Sequence, residues 1–383
     1  MNNEIYHRRL RGGIVGGGAG AFIGTVHRMA AELDGQATIV AGALSSKPEV
    51  AKKSADDWFL PRSYNDYHEM AIAEATREDG IDFVIIATPN YLHADVAITF
   101  IQQGIHVMCE KPLAMSLSES ERVAKALEKK PVLFALAHTY TGYPAVHEVK
   151  HLVESGELGS IRKVLVEYNQ DWLMEPLEAD EATNKQAAWR TDPARAGISC
   201  CVADIGTHAA NMVEFMTGER INSLCADLSS FVEQRTLDDD ANMLIRLSGG
   251  GKGMLTCSQI ACGEENALSI RIYGTKAAIE WHQQEPNTLL YSPHGQPKRI
   301  LRTAVSLTSH SASRLSRTPG GHPEGILEAL AGLYLLLIAD IRRSASGEPL
   351  NGGYPDIDAG LRGMRFVEAA VTSSNEESTW CSV

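Results

Sequence analysis

The stretch RLRGGIVGGGAGAFIGTVHRMAAEL, Arg9 to Leu33, carries seven glycines between Gly12 and Gly24, where a short apolar run meets an amphipathic one. Glycine favours neither strand nor helix, so a cluster at that junction calls for a backbone reason: a tight turn, or a close approach of the main chain to something else. In GGGAGA, Gly16, Gly18 and Ala21 occupy the positions of a G-x-G-x-x-(G/A) turn. In such a turn Gly16 permits the sharp bend, Gly18 lets the backbone approach a pyrophosphate, and the small Ala21 lets helix and strand pack closely. The helix that follows turns unpaired N–H groups toward the phosphates. The loop set expected to bind a dinucleotide is Gly16, Gly18, Ala19, Gly20, Ala21 and Phe22.

The surrounding rhythm supports that reading. Up to about Ala137, apolar runs at 12–15, 37–44, 82–88, 106–110 and 132–137 alternate with helices expected to begin near Ala19, Pro48, Tyr64, Tyr91 and Ser116. Such alternation means βαβ units and a parallel sheet covered on both faces. Beyond Thr139, two helical stretches (144–155 and 204–216) precede closely spaced strand candidates at 162–168, 222–232, 242–247, 253–261, 267–274 and 277–282, with helices at 323–343 and 356–373 closing the chain. The expected fold class is therefore α/β. A dinucleotide-binding domain is expected over 1–138, followed over 139–383 by an α/β domain with an open, mainly antiparallel sheet.

Composition narrows the function. At 383 residues, 44% hydrophobic and 22% charged, the chain has the apolar content for two buried sheets. Its 35 basic against 48 acidic residues give −13, which opposes nucleic acid and anionic membranes. The seven cysteines (Cys109, Cys200, Cys201, Cys225, Cys257, Cys262 and Cys381) are odd in number and lack zinc-type pairing. They read as free thiols of a cytoplasmic protein with no metal, and the adjacent Cys200 and Cys201 as small buried hydrophobes. No secretion signal is expected. The longest apolar stretch, Ile326 to Ile341, is too short to span a bilayer and contains Glu328 and Asp340.

Two further stretches carry chemistry. ATPNYLHADVAITFIQQGIHVMCEKPLA (Ala87 to Ala114) runs from one strand end to the next, and strand ends border the crevice where open α/β sheets bind ligands. Lys111 follows the second strand directly; there it is either a solvated surface amine or a group that binds a hydroxyl oxygen and shuttles its proton. In WRTDPARAGISCCVADIGTHAANMVEFMTG (Trp189 to Gly218), Asp204 and His208 are four apart and would share one helix face. That spacing also describes an ordinary surface pair. With a crevice lysine it makes a base, an acid and an orienting group suited to a hydroxyl-bearing carbon.

Taken in order, GGGAGAFIG, ATPNYLH, CEKPLA, WRTDP, DIGTH, GGHPEGILEALAGLY and GLRGMRFVEAA resemble the Gfo/Idh/MocA family, the glucose-fructose oxidoreductase and inositol dehydrogenase group. CEKPLA is the most specific. GAFIGTVHR, YNQDWL, WRTDPARAG and GHPEG are most similar to the levoglucosan dehydrogenase type. The resemblance implies a Rossmann domain for NAD(P), and Lys111, Asp204 and His208 as the catalytic lysine and DxxxH pair. It implies that Glu110 and Pro112 frame the nicotinamide, that Thr88, Pro89, Asn90 and His93 lie along the cofactor, and that Tyr140, Gln170, Trp189 and Arg190 join Asp204 and His208 in binding substrate. It also implies a homodimer or homotetramer. Two departures stand out: AGISCCVAD replaces a glycine-rich approach to the aspartate, and an extra Gly12-Gly13 pair enters the first strand.

The expected activity is hydride transfer between the nicotinamide and a secondary hydroxyl or ketone of a cyclic sugar or polyol. Lys111 or His208 is the proton acceptor, and the choice between them stays open. A redox-cycling lyase or glycosidase and a nucleotide-sensing regulator are the alternatives. After the second strand, where NAD sites usually place an acid, the chain has LSSKPE. Ser45, Ser46 and Lys47 tolerate a 2′-phosphate, so their chemistry alone allows NADP, whereas the resemblance to the levoglucosan dehydrogenase type implies NAD; NAD is expected and NADP stays open.

Overall fold

The computed structural model describes residues 8–180, 183–307 and 309–383. They form two compact units, one gathering the chain up to residue 114 with 118–142 and 326–360, the other gathering 115–117, 143–325 and 361–383. Compactness thus assigns 326–360 to the unit of the parallel sheet, whereas the expected division ran once, at 138/139.

In chain order the first unit holds β1 (Leu10–Gly16), α1 (Phe22–Leu33), β2 (Ala37–Ala43), α2 (Pro48–Asp57), β3 (Arg62–Ser63), α3 (Tyr67–Thr76), β4 (Phe83–Ala87), α4 (Asn90–Gln102), β5 (His106–Cys109), α5 (Leu117–Lys129) and β6 (Phe134–Leu136). The strands make a six-stranded sheet ordered β3-β2-β1-β4-β5-β6, every pair parallel. Its residues are apolar without alternation because both faces are covered. Ile14, Ile39, Phe83 and Ile85 face one core, with Val26 and Ala30 of α1. Val15, Ala41, Val84 and Ile86 face the other, with Val96 and Phe100 of α4. Two helices begin later than expected, α1 at Phe22 and α3 at Tyr67. Tyr67 starts α3 because Asp66 caps it, accepting the N–H groups of His68 and Glu69.

The chain continues with α6 (Pro144–Glu154), β7 (Ile161–Asn169), α7 (Lys185–Arg190), α8 (Pro193–Ala196), a π-helical turn (Val202–Gly206), α9 (Thr207–Thr217), β8 (Ile221–Ser229), β9 (Asp240–Leu247), β10 (Lys252–Ser258), β11 (Ala267–Gly274), β12 (Ala277–His282), β13 (Thr288–Pro293), β14 (Arg299–Arg302), α10 (His310–Ser313), α11 (Ile326–Ala345), α12 (Ile357–Asn375) and β15 (Cys381–Ser382). The second sheet has nine strands ordered β14-β13-β12-β11-β7-β10-β9-β8-β15, and only the β7–β10 pair is parallel. Strands here alternate cleanly: in β9, Ala241, Met243, Ile245 and Leu247 are buried while Leu244 is exposed. One face is therefore packed, with α9 against β7, β10 and β11.

Helix α11 packs within the first unit. Leu330, Leu333, Leu337 and Ile338 join the core that holds Ile14 and Phe83, at the helical spacing that gives one apolar stripe.

Candidate functional site

In the first unit the chain bends sharply after β1. Gly16 adopts φ +79°, a conformation that L side chains rarely enter, and a Cβ there would meet the Ala87 carbonyl oxygen at 2.6 Å. The close helix–strand approach expected of Ala21 is made instead by Gly24: a Cβ on Gly24 would lie 2.2 Å from the Gly17 oxygen, whereas Ala21 is the N-cap of α1. Gly18 is packed as well, against the Leu44 carbonyl and Ser54 Oγ, and Ser54 Oγ accepts the Ala19 N–H. Ala19, Gly20 and Phe22 are exposed or half-exposed. Beyond β2, Ser45 is half-buried and Ser46 and Lys47 are exposed, with the Lys47 N–H donating to Ser45 Oγ. At the end of β4, Thr88 Oγ1 is buried without a hydrogen-bond partner. A turn held open at Gly20, a helix N-terminus without a side-chain cap and an unanswered hydroxyl together fit a dinucleotide.

Lys111 follows β5, and its peptide bond to Pro112 is cis. The preceding Glu110 is buried, and both carboxylate oxygens are held: Oε1 lies 2.7 Å from His27 Nε2, and Oε2 accepts the Lys111 N–H at 3.2 Å. His27 Nδ1 lies 2.6 Å from the Tyr334 hydroxyl. Burial alone would raise the Glu110 pKa, but the His27 hydrogen bond and the charges of His27, Lys111 and His93 outweigh it, so the carboxyl stays below its usual range. His93 sits between two backbone carbonyls, Pro112 O at 2.7 Å and Thr88 O at 2.8 Å. Burial lowers its pKa, and a neutral ring can donate to only one of them. It therefore ties the end of β4 to the turn carrying Lys111. Pro89 precedes α4 as its N-cap, and Asn90, its first residue, is buried. Tyr140 is buried in the 3₁₀ turn Thr139–Gly142 of this same unit.

In the second unit Asp204 and His208 do not share a regular α-helix as expected. Asp204 lies in the π turn, where the Thr207 N–H reaches back to Val202 O, and His208 lies in the first turn of α9. Buried Asp238 secures the approach by accepting the N–H groups of Cys200 at 2.9 Å and Val202 at 2.8 Å. Asp204 Oδ2 accepts from Arg190 Nε at 3.3 Å and from Gln259 Nε2 at 2.9 Å. The Arg190 guanidinium also donates to Gln186 and lies over the Trp189 ring, 4.2 Å from its centroid, and near Trp172 at 5.8 Å. His208 meets Tyr168 edge to face. Gln170 Nε2 and the Tyr168 hydroxyl both donate to Asn266 Oδ1, and Asn266 Nδ2 donates to Gln283.

Thus Gln170, Trp189, Arg190, Asp204 and His208 belong to one unit, and Tyr140, Glu110 and Lys111 to the other. His27, Tyr334, Gln259 and Asn266 were not expected from the sequence. His27 alone left a signal there, as a polar residue on the buried stripe Val26, Ala30 and Ala31 of α1. Cys200 and Cys201 are buried, and burial pushes both thiols well above their ordinary pKa. Among the described residues no group of His, Cys, Asp and Glu could hold a metal ion, and no helix is long and apolar enough to cross a membrane.

Two family models match the chain: residues 10–138 match an oxidoreductase family with an NAD-binding Rossmann fold, and residues 146–280 the GFO/IDH/MocA C-terminal domain. An uncharacterized oxidoreductase, YfiI, of Bacillus subtilis is 34% identical over 99% of this chain and 98% of its own. The levoglucosan dehydrogenase of Pseudarthrobacter phenanthrenivorans is 28% identical over 79% of this chain and 82% of its own. A crystal structure of an inositol dehydrogenase homolog from Azotobacter vinelandii, complexed with NAD+, superposes with a TM-score of 0.92 at 32% identity, covering 98% of both chains.

Proposed function

The chain belongs to the GFO/IDH/MocA oxidoreductase family, and from that premise we propose that it oxidises a secondary hydroxyl of a cyclic sugar or polyol, levoglucosan- or inositol-like, to the ketone. NAD, when bound, supplies the hydride acceptor. Gly16, Gly18, Ala19, Gly20, Ala21 and Phe22 hold its pyrophosphate side, Ser45, Ser46 and Lys47 its adenosine ribose, and Thr88, Pro89, Asn90, His93, Glu110 and Pro112 its nicotinamide half. Lys111 or His208 takes the hydroxyl proton, while Asp204 orients the imidazole or binds a neighbouring hydroxyl. Glu110, fixed on both oxygens, holds the backbone of Lys111 in place. Tyr140, Gln170, Trp189 and Arg190 complete the substrate set.

The observation that carries the substrate class is the commitment of Arg190. Its guanidinium already donates to Asp204 and Gln186, and His208 meets the Tyr168 phenol, whose hydroxyl shares a hydrogen-bond network with the carboxamides of Gln170, Asn266 and Gln283. Such neutral donors and acceptors suit a ring bearing several hydroxyls better than a carboxylate or phosphate. The levoglucosan dehydrogenase and inositol dehydrogenase relatives favour the same class. A screen of levoglucosan, myo-inositol, pyranoses and short linear aldehydes and acids with NAD and NADP, read by absorbance of the reduced cofactor, tests this. We expect turnover with at least one cyclic polyol and higher catalytic efficiency with NAD; activity confined to linear substrates defeats the proposal.

A second copy of the chain is the expected protein partner. Leu165, Met254 and Leu244 stand in one cross-strand row, and Met254 and Leu244 are exposed. An apolar row on an uncovered sheet face suits a homodimer or homotetramer.

A further inference from the structure

We propose that Gln259, its side-chain amide oriented by the Cys200 thiol, is a positioning residue that holds the Asp204 carboxylate for the reaction. This rests on the reading of Asp204 as part of the hydroxyl-handling set.

Gln259 lies just beyond β10 and is fully buried. Its main chain is already accounted for: its N–H donates to Asp239 O at 2.8 Å, and its carbonyl accepts the Leu173 N–H at 3.0 Å. The side chain is therefore not needed to satisfy the backbone there. A buried carboxamide is costly unless its own groups are answered, and an apolar residue of similar length would avoid that cost. Both ends are answered. Nε2 donates to Asp204 Oδ2 at 2.9 Å, and Oε1 accepts from Cys200 Sγ at 3.4 Å.

The direction of the chain of bonds follows from the chemistry of its ends. Turned over, the amide would set its oxygen against the Asp204 carboxylate, acceptor against acceptor. Cys200 favours the observed orientation because burial keeps its thiol protonated, and a thiol is then the donor that the amide oxygen requires. Cys200 is itself fixed, since its N–H is held by Asp238. The AGISCCVAD departure from a glycine-rich approach thus has a use: it brings a donor to the back of the amide that faces Asp204. Arg190 approaches the same carboxylate oxygen, so Oδ2 is held by one charged and one neutral donor.

The test labels the full-length protein with [γ-13C]aspartate and follows the Asp204 carboxyl by NMR against pH, identifying its signal by its loss in Asp204→Asn. In Gln259→Leu the Asp204 midpoint should rise by at least about half a pH unit, because a carboxylate deprived of a donor is a poorer anion. Cys200→Ala should move it in the same direction by less, and Cys200→Ser, which keeps a donor, should bring it back toward wild type. In assays with NAD and myo-inositol or levoglucosan, Gln259→Leu should lower kcat roughly ten- to a hundred-fold. The acid limb of the pH profile should shift upward, with NADH affinity within two-fold. If Gln259→Leu does not fold, Gln259→Asn and the Cys200 pair give the same titration. An unmoved midpoint in folded variants, even with a lowered Tm, overturns the proposal. If the wild type oxidises neither polyol, the functional reading loses its support while the titration still decides whether Gln259 holds Asp204.

Discussion

Lys111 is one of the two candidate proton acceptors in the proposed reaction, and its neighbours show what such a lysine needs around it. Glu110 is held on one oxygen by His27 and on the other by the Lys111 N–H, so the strand end from which the amine projects is fixed before any substrate arrives. Lys111→Ala should abolish hydride transfer and leave NADH affinity, measured by fluorescence titration, within a few-fold; near wild-type turnover in the variant would remove Lys111 from the mechanism. A second residue-scale expectation concerns acid. Burial pushes His106 from 6.5 down to about 4, and burial with the Lys111 charge pushes His138 to about 3. His106 Nδ1 accepts the Leu133 N–H at 2.9 Å, which only an unprotonated nitrogen can do. The unfolded chain therefore takes up these protons at higher pH than the folded one. Their contribution is whole above pH ~6.5 and is lost as pH falls toward 4 and 3, by up to about 1.4 kcal/mol per pH unit for each group. His106→Asn keeps an acceptor without the proton, so the fall of Tm between pH 6.5 and 4 should flatten; an unchanged slope would count against His106.

Among the elements, α1 shows the limit of reading a motif by its spacing. The glycine cluster, its place after the first strand and the sharp bend at Gly16 were legible from residue types alone. The packing role was not: Gly24, in the first turn of the helix, makes the contact that the spacing assigned to Ala21. Gly24→Ala places a methyl group against the Gly17 main chain, a backbone neighbour that cannot swing away, and should cost about 1–3 kcal/mol. Calorimetric titration should also show NADH affinity falling at least tenfold; a variant that melts and binds like wild type would show that the helix can shift without harm. The strand pattern was readable in the fully buried β4 and the alternating β9. It missed short and exposed strands, and also β13 (Thr288–Pro293), although Leu289 and Tyr291 alternate as buried residues there. β14 is Arg299–Arg302, an edge strand with both arginines exposed, and β3 and β15 have two residues each. The π turn at Asp204 left no trace in residue type. It depends on Asp238, distant in sequence, pinning the backbone of Cys200 and Val202.

For the whole molecule, the chain order hides a long return: residues 326–360 come back to the unit of the parallel sheet and bring Tyr334 to His27, after which 361–383 rejoin the other unit. No local pattern announces that partnership, because it depends on a contact across 307 positions. The exposed row through Leu244 and Met254 carries the assembly expectation, and Leu244→Lys combined with Met254→Lys should convert a dimer or tetramer to monomer by sedimentation velocity. An unchanged sedimentation coefficient would move the interface elsewhere. Above all, the proposed reaction requires hydride to leave a ring carbon for NAD with net turnover. Offering the enzyme NAD with ring-deuterated myo-inositol or levoglucosan, and following the label by mass spectrometry, tests that requirement. One deuterium is expected in each reduced cofactor, formed in equal amount with the ring ketone. A product formed with no net cofactor reduction, or reduced cofactor without deuterium, would contradict it.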